Sequence, residues 1–186
     1  MSALLDENHA RLLLGRIAQR DEPALTELHR LIARRLYAFA FHRSRDHDHA
    51  ETVVVDTLRE VWQSCHKFRG TSQVSTWIFG IARNKSFELW RQSGPDHEDI
   101  DNYADELVAD TAEVSHALEM EQESRKILGC MDRLSACQRE CVQLVHYEGL
   151  GLAEIAQIQG VPENTVKTRM YHARRNLRSC LHPAEV

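Results

Sequence analysis

Residues 149–169 read GLGLAEIAQIQGVPENTVKTR, and the reading of the whole chain turns on this stretch. Leu152, Ile155 and Ala156 give a short helix one apolar face. Gly160 falls where that helix must stop, because glycine enters the left-handed conformation of a helix end without a Cβ clash. Val161 packs into the angle that follows, and Pro162 opens a second helix. On that helix Val166, Met170, Ala173, Leu177 and Leu181 form one stripe. Lys167, Thr168, Arg169, Tyr171, His172, Arg174 and Arg175 are left largely off it. A helix with one anchored face and one face of donors and cations suits the major groove, where side chains read base edges and cations hold phosphates. Lys167 and Thr168 lie at the groove-entering N-terminal end, and Arg174, Arg175 and Arg178 further along. A plain helical hairpin with a solvated basic face is the competing reading. The short helix, glycine turn and basic second helix together favour a DNA-binding helix-turn-helix.

Working outward, the rest of the chain is also helical in pattern. Glycine and proline are scarce, at 8 and 4 in 186 residues, so few breakers interrupt the helices. Leu25, Leu28, Ile32, Leu36 and Phe39 trace one face of a helix that starts near Pro23. Asp46 or Asp48 caps a further helix running to about His66. Residues 68–73 break the pattern as a loop, and a helix follows from about Val74 to Arg91. Ser93-Gly94-Pro95 ends it. A second helical set runs from near His116 to Leu181. The expected fold is all-α: two small helical domains, 1–93 and 119–186, joined by an acidic flexible linker over 94–118.

The net charge of −5 argues against nucleic acid only until it is divided. Residues 96–123 hold 11 Asp/Glu and no Lys/Arg, so the remaining chain carries 17 acidic against 23 basic side chains. Two mildly basic segments therefore flank an acidic one. The acidic segment is either a plain tether, or a shield for basic faces or a thread through a basic channel. No run of about 18 apolar residues exists, so membrane insertion is not expected. Met1–Arg20 lacks the pattern of a secretory signal. Five cysteines (65, 130, 137, 141 and 180) without CxxC spacing point to reduced thiols in the cytoplasm. Cys137 and Cys141 fall on an apolar stripe and suit core packing, whereas Cys180 is the expected exposed thiol. His47-Asp48-His49 supplies too few ligands for zinc. With no nucleophile-elbow or Walker motif, neither catalysis nor a cofactor is expected.

Three motifs in order carry a family resemblance. The first motif is Gly149-Leu150 with Glu154-Ile155-Ala156, Gly160-Val161-Pro162, Thr165-Val166-Lys167-Thr168-Arg169 and Ala173-Arg174-Arg175. Ala50-Glu51, Asp56-Thr57-Leu58 and Val61-Trp62 form the second motif. Phe68-Arg69-Gly70 with 75–84 (STWIFGIARN) forms the third. Together they resemble the extracytoplasmic-function (ECF) subfamily of the sigma-70 family of bacterial RNA polymerase sigma factors. The resemblance implies a protein that brings core RNA polymerase to promoter DNA. It implies −35 recognition by Lys167, Thr168, Arg169, Tyr171, His172, Arg174 and Arg175. It implies −10 recognition by Arg69, Gly70, Thr71, Ser72, Gln73, Arg83, Asn84 and Lys85, with Asn84 lining a base pocket. Glu51, Val54, Val55, Asp56, Leu58 and Arg59 would dock on the β′ clamp helices, and residues 134–147 on the β flap. The run Val53-Val54-Val55 leaves open which valine faces outward. For Trp77, core packing is the preferred reading. Thr52 and Val55 depart from the acidic and amide residues of the family's docking helix, and His172 stands where an arginine is often found. The resemblance further implies an anti-sigma factor, a free monomer, and weak binding to DNA without polymerase. A helix-turn-helix regulator with a helical sensor over 1–95, or a helical signalling adaptor, are the alternatives.

Overall fold

A computed structural model describes residues 5–92 and 126–182. Its helices are labelled in chain order: α1 (Glu7–Ala18), α2 (Glu22–Ser44), α3 (His47–Ser64), α4 (Val74–Gln92), α5 (Ala136–His146), α6 (Leu152–Gln159) and α7 (Glu163–Leu181). A 3₁₀ turn (Cys65–Lys67) follows α3, and a helical stretch over 126–132 precedes α5. No strand occurs among the described residues. The expected linker, 94–118, lies outside them.

Short polar side chains start most of these helices, as the sequence pattern requires. Asp6 accepts from Asn8 and His9 N–H, Asp21 from Ala24, Asp46 from His49 and Ser135 from Gln138. Pro23 sits in the first turn of α2. Gly160 ends α6 with φ at 66°, the left-handed conformation expected of it.

The N-terminal core is built from α2, α3 and α4. Leu28, Ile32 and Leu36 of α2, Val53 and Val61 of α3, and Ile78 and Phe79 of α4 are fully buried. Phe39 meets Phe79 edge-on, with ring centroids 5.4 Å apart. Around the helix-turn-helix, Leu144, Ile155, Val166 and Ala173 are fully buried. The stripe fades at its end: Leu177 is half-buried and Leu181 is 38% exposed.

The two halves also pack on each other, and their buried side chains form one continuous cluster. Polar bonds line this seam. Arg35 of α2 pairs with Glu148, both almost wholly buried. Burial raises the Glu148 carboxyl above its ordinary value, and the Arg35 hydrogen bond opposes that rise. Thr76 of α4 donates to Glu154 of α6 at 2.8 Å. Arg139 donates to the His42 carbonyl at 3.0 Å, and Arg45 pairs with Asp132.

The cysteines correct one expectation. Cys130 and Cys180 form a disulfide, with Cα atoms 5.8 Å apart, so Cys180 is not an exposed free thiol. The sequence hides the pair because 50 residues separate its members. Cys65, Cys137 and Cys141 are buried and outside any disulfide, and burial pushes the Cys141 thiol up to about 11. The bridge closes a loop of 50 residues, which by chain entropy stabilises the fold by up to about 4 kcal/mol. Reducing it, or replacing Cys180 with serine, is expected to lower the urea midpoint of the C-terminal half. An identical midpoint with and without reductant would refute this.

A second prediction concerns acid. His42 and His49 both titrate below their ordinary 6.5. Burial is the main cause for both, with Arg45 and Arg139 adding to it at His42. At His49 the Asp46 charge opposes the shift and Arg43 adds to it. The unfolded chain therefore takes up these protons first as pH falls. Their stability contribution is whole above about 6.5 and is lost as pH falls through the folded values. The melting temperature should drop between pH 7 and pH 5.5, and less so in the H42Q/H49Q double variant. Equal drops in both proteins would remove histidine from the explanation.

Candidate nucleic-acid interface

Lys167, Tyr171, Arg174, Arg175 and Arg178 recur at helical spacing along one exposed side of α7. With Leu152 and Met170 they line an open groove of about 490 Å³. The buried Val166 and Ala173, with Met170 beneath the groove, hold the helix against α5 and α6. Lys167 is paired with Glu163 on the surface at 2.9 Å, an ion pair that solvent screens. Thr168 donates back to the Asn164 carbonyl at 3.0 Å, and Tyr171 meets His172 edge-on. Arg169 behaves differently. It is half-buried and donates to Gln159 Oε1 at 2.8 Å, so it ties the two helices of the motif together.

The second candidate surface centres on α4. Arg69, Gly70, Thr71 and Gln73 are exposed in the loop before it, and Ser72 is half-buried. Gly70 has φ of 70°, a conformation that other residues rarely adopt. Asn84 is exposed on α4. Arg83 is not: it donates to Glu140 Oε1 at 2.9 Å across the seam and lies over the Phe87 ring. Lys85 is held between Glu60 and Glu88. Trp77 is half-buried against Phe68, ring centroids 5.5 Å apart, which fits neither full burial nor free exposure.

The third surface is formed by α2 and α3, and here the structure decides the valine run. Val53 is fully buried, Val54 is 8% exposed and Val55 is 64% exposed. The expectation of an exposed Val54 is therefore corrected, and so is that of an available Leu58, which is 9% exposed. The physical reason is register: Val54, Leu58 and Val61 share the α3 stripe that covers α2 and α4. Glu51 and Arg59 are exposed, and Asp56 is paired with Arg59 at 2.9 Å. Exposed Leu31 and Arg34 of α2 extend this surface, and the sequence motifs pointed to neither. A shallow groove of about 440 Å³ runs between Ala33, Arg34, Tyr37, Glu51, Val54 and Val55, so the largely buried Val54 still lines this surface beside Val55.

Among the described residues no three His, Cys, Asp or Glu side chains converge as metal ligands. His47 bonds Tyr37 and packs on Phe41, whereas His49 bonds Ser86. No described helix is long and apolar enough to cross a membrane.

Comparison with known proteins places these surfaces in a family frame. Residues 28–95 match sigma-70 region 2, and residues 124–177 match sigma-70 region 4. The chain is 28% identical over 171 residues to the ECF RNA polymerase sigma factor SigK of Mycolicibacterium vanbaalenii, covering 91% of this chain and 87% of that one. It is 29% identical over 178 residues to SigK of Mycobacterium ulcerans, covering 91% of each. The fold is similar to that of the sigma factor RpoE from Bartonella quintana, solved in complex with the anti-sigma factor NepR. That match has a TM-score of 0.64 at 29% identity and covers 86% of this chain and 98% of the other.

Proposed function

The chain belongs to the ECF subfamily of the sigma-70 family of RNA polymerase sigma factors, and on that premise we propose how its surfaces divide promoter-specific transcription initiation. It joins core RNA polymerase and directs it to promoters that carry −10 and −35 elements. Residues 119–186 form the −35-reading unit, 1–93 the core-binding and −10-reading unit, and 94–118 the tether.

Within the −35 unit, Lys167, Tyr171, His172, Arg174 and Arg175 meet the DNA directly, with Thr168 at the groove-entering end. Arg169 acts through Gln159 by fixing the angle between α6 and α7. Within the −10 unit, the loop from Arg69 to Gln73 and Asn84 hold an unstacked base. Extruding that base costs stacking energy, and a fixed set of donors and aromatic surface returns it. Arg83 and Lys85 supply phosphate contacts once Arg83 leaves Glu140. Val55, with Glu51, Arg59, Leu31 and Arg34 around it, forms the contact with the β′ clamp helices, and α5 meets the β flap. An anti-sigma factor covers these surfaces until it is released, a reading supported by the relative solved with NepR. The protein acts in the cytoplasm, where its polymerase works, and is a monomer when free.

One observation carries this reading: a single chain presents both an exposed basic row on a helix-turn-helix and a separate exposed loop with Asn84 beside it. Runoff transcription with purified core polymerase tests it. Specific transcripts from a genomic template, absent without the protein, are expected. A regulator of the ordinary operator-binding kind would instead shift duplex DNA without polymerase and yield no new transcript.

A further inference from the structure

The loop that precedes α4 is held from outside its own segment. Gln73 stands at the N-cap position of α4, and glutamine is not among the short side chains that cap well. The cap comes instead from Glu7 of α1, whose carboxylate accepts the Val74 N–H at 2.7 and 3.0 Å. A carboxylate there also meets the positive end of the α4 dipole.

Glu7 has a second partner one turn along. Arg11 donates its Nε–H to Glu7 at 3.0 Å and its Nη2–H to the Ser72 carbonyl at 3.0 Å. The same guanidinium lies over the Phe68 ring, 5.7 Å from its centroid. It also closes on Gly70, where an added Cβ would stand 3.3 Å from Nη1. Two side chains of α1 thus touch the loop at Phe68, Gly70, Ser72 and Val74, from one end to the other. Phe68 passes the restraint on to Trp77. The loop side chains that remain exposed, Arg69, Thr71 and Gln73, project from a backbone that is already held.

From this geometry we infer that Glu7 and Arg11 are positioning residues for −10 recognition. They hold the loop in the shape that receives the unstacked base, so the ordering cost is met before DNA arrives. This rests on the assignment of the loop to −10 reading made above. Neither residue belongs to the α2–α3 surface or to α7, so core binding and −35 reading are independent of them.

The test uses holoenzyme assembled from the full chain and core polymerase. The probes are two single-stranded oligonucleotides: the non-template −10 strand of a promoter mapped by runoff transcription, and a scrambled version. Wild-type holoenzyme should prefer the matched strand. Glu7→Ala and Arg11→Met should each reduce that preference about tenfold, the effect of removing one charge-assisted hydrogen bond. Glu7→Gln, which keeps an acceptor for the Val74 N–H, should recover most of it. Affinity for core polymerase, measured with a labelled chain, should match wild type in all three. Wild-type preference in both Glu7→Ala and Arg11→Met would overturn the inference while leaving the −10 assignment standing. Equal loss of preference and of core affinity would also overturn it, by showing a general defect in folding. No preference in wild type would remove the −10 assignment and the inference with it.

Discussion

Replacing Glu140 with alanine is expected to destabilise the packed chain by about 3–5 kcal/mol, the range for breaking a buried ion pair from one side. Glu140 is 3% exposed and receives two guanidiniums from the N-terminal half. Arg43 donates to it at 2.7 Å and Arg83 at 2.9 Å, and both cations lie over Phe87. Gln159 donates to the same oxygen as Arg83 at 3.2 Å, and its own Oε1 accepts from Arg169. One bonded chain therefore runs from α4 through α5 and α6 to α7. Removing the carboxylate takes from two largely buried guanidiniums the charge that they share. Glutamine in its place keeps the shape and an acceptor, and should cost less. Urea melts of E140A and E140Q decide this, and an unchanged midpoint for E140A would refute the role given to Glu140.

The same substitution should also expand the protein. The −10 and −35 elements lie about 25 base pairs apart, about 85 Å at 3.4 Å per step. A compact chain of this length has a radius of gyration of about 16 Å. On the proposed assignment, a packed form cannot span both elements, so the seam must open on the promoter. Small-angle scattering should show a larger radius for E140A than for wild type. A compact E140A would mean that the remaining seam bonds, Arg35–Glu148 foremost, suffice to keep the halves together.

Replacing Lys167 and Arg174 together with alanine is expected to cut −35-dependent transcription by roughly 10- to 100-fold, at about 1 kcal/mol or more for each side chain truncated. Stability should hold, because both side chains are exposed and the ion pair that disappears, Lys167 with Glu163, is solvated. The slope of binding against salt should fall by about one for each phosphate partner removed. Transcription from a template lacking the −35 element provides the control. A double variant as active as wild type on the complete promoter would exclude α7 as the reading helix.

Much of this protein was legible in short stretches of sequence. The helix-turn-helix was, because everything that specifies it lies within about 30 residues: an apolar face, a glycine that takes φ of 66°, and a second apolar stripe. The helix starts near Pro23 and at Asp46 or Asp48 were legible for the same reason, since a first-turn proline or a cap acts within two or three residues, and the structure then assigned the caps to Asp21 and Asp46. The family motifs supplied the order of the surfaces.

Tertiary structure alone decided what depends on partners distant in sequence. Val53, Val54 and Val55 are equivalent in composition, and only the packing of α3 on α2 and α4 buries two and exposes one. Arg83 reads as a free cation until Glu140, 57 residues away, is brought to it. Glu7 reads as an ordinary first-turn acid until Val74, 67 residues away, presents its N–H. Cys130 and Cys180 read as separate thiols until the fold places them in bonding range. Residues 149–169 therefore carried within themselves the shape of the helix-turn-helix. The residues that hold its second helix, the −10 loop and the two halves in place were fixed by contacts that no local pattern encodes.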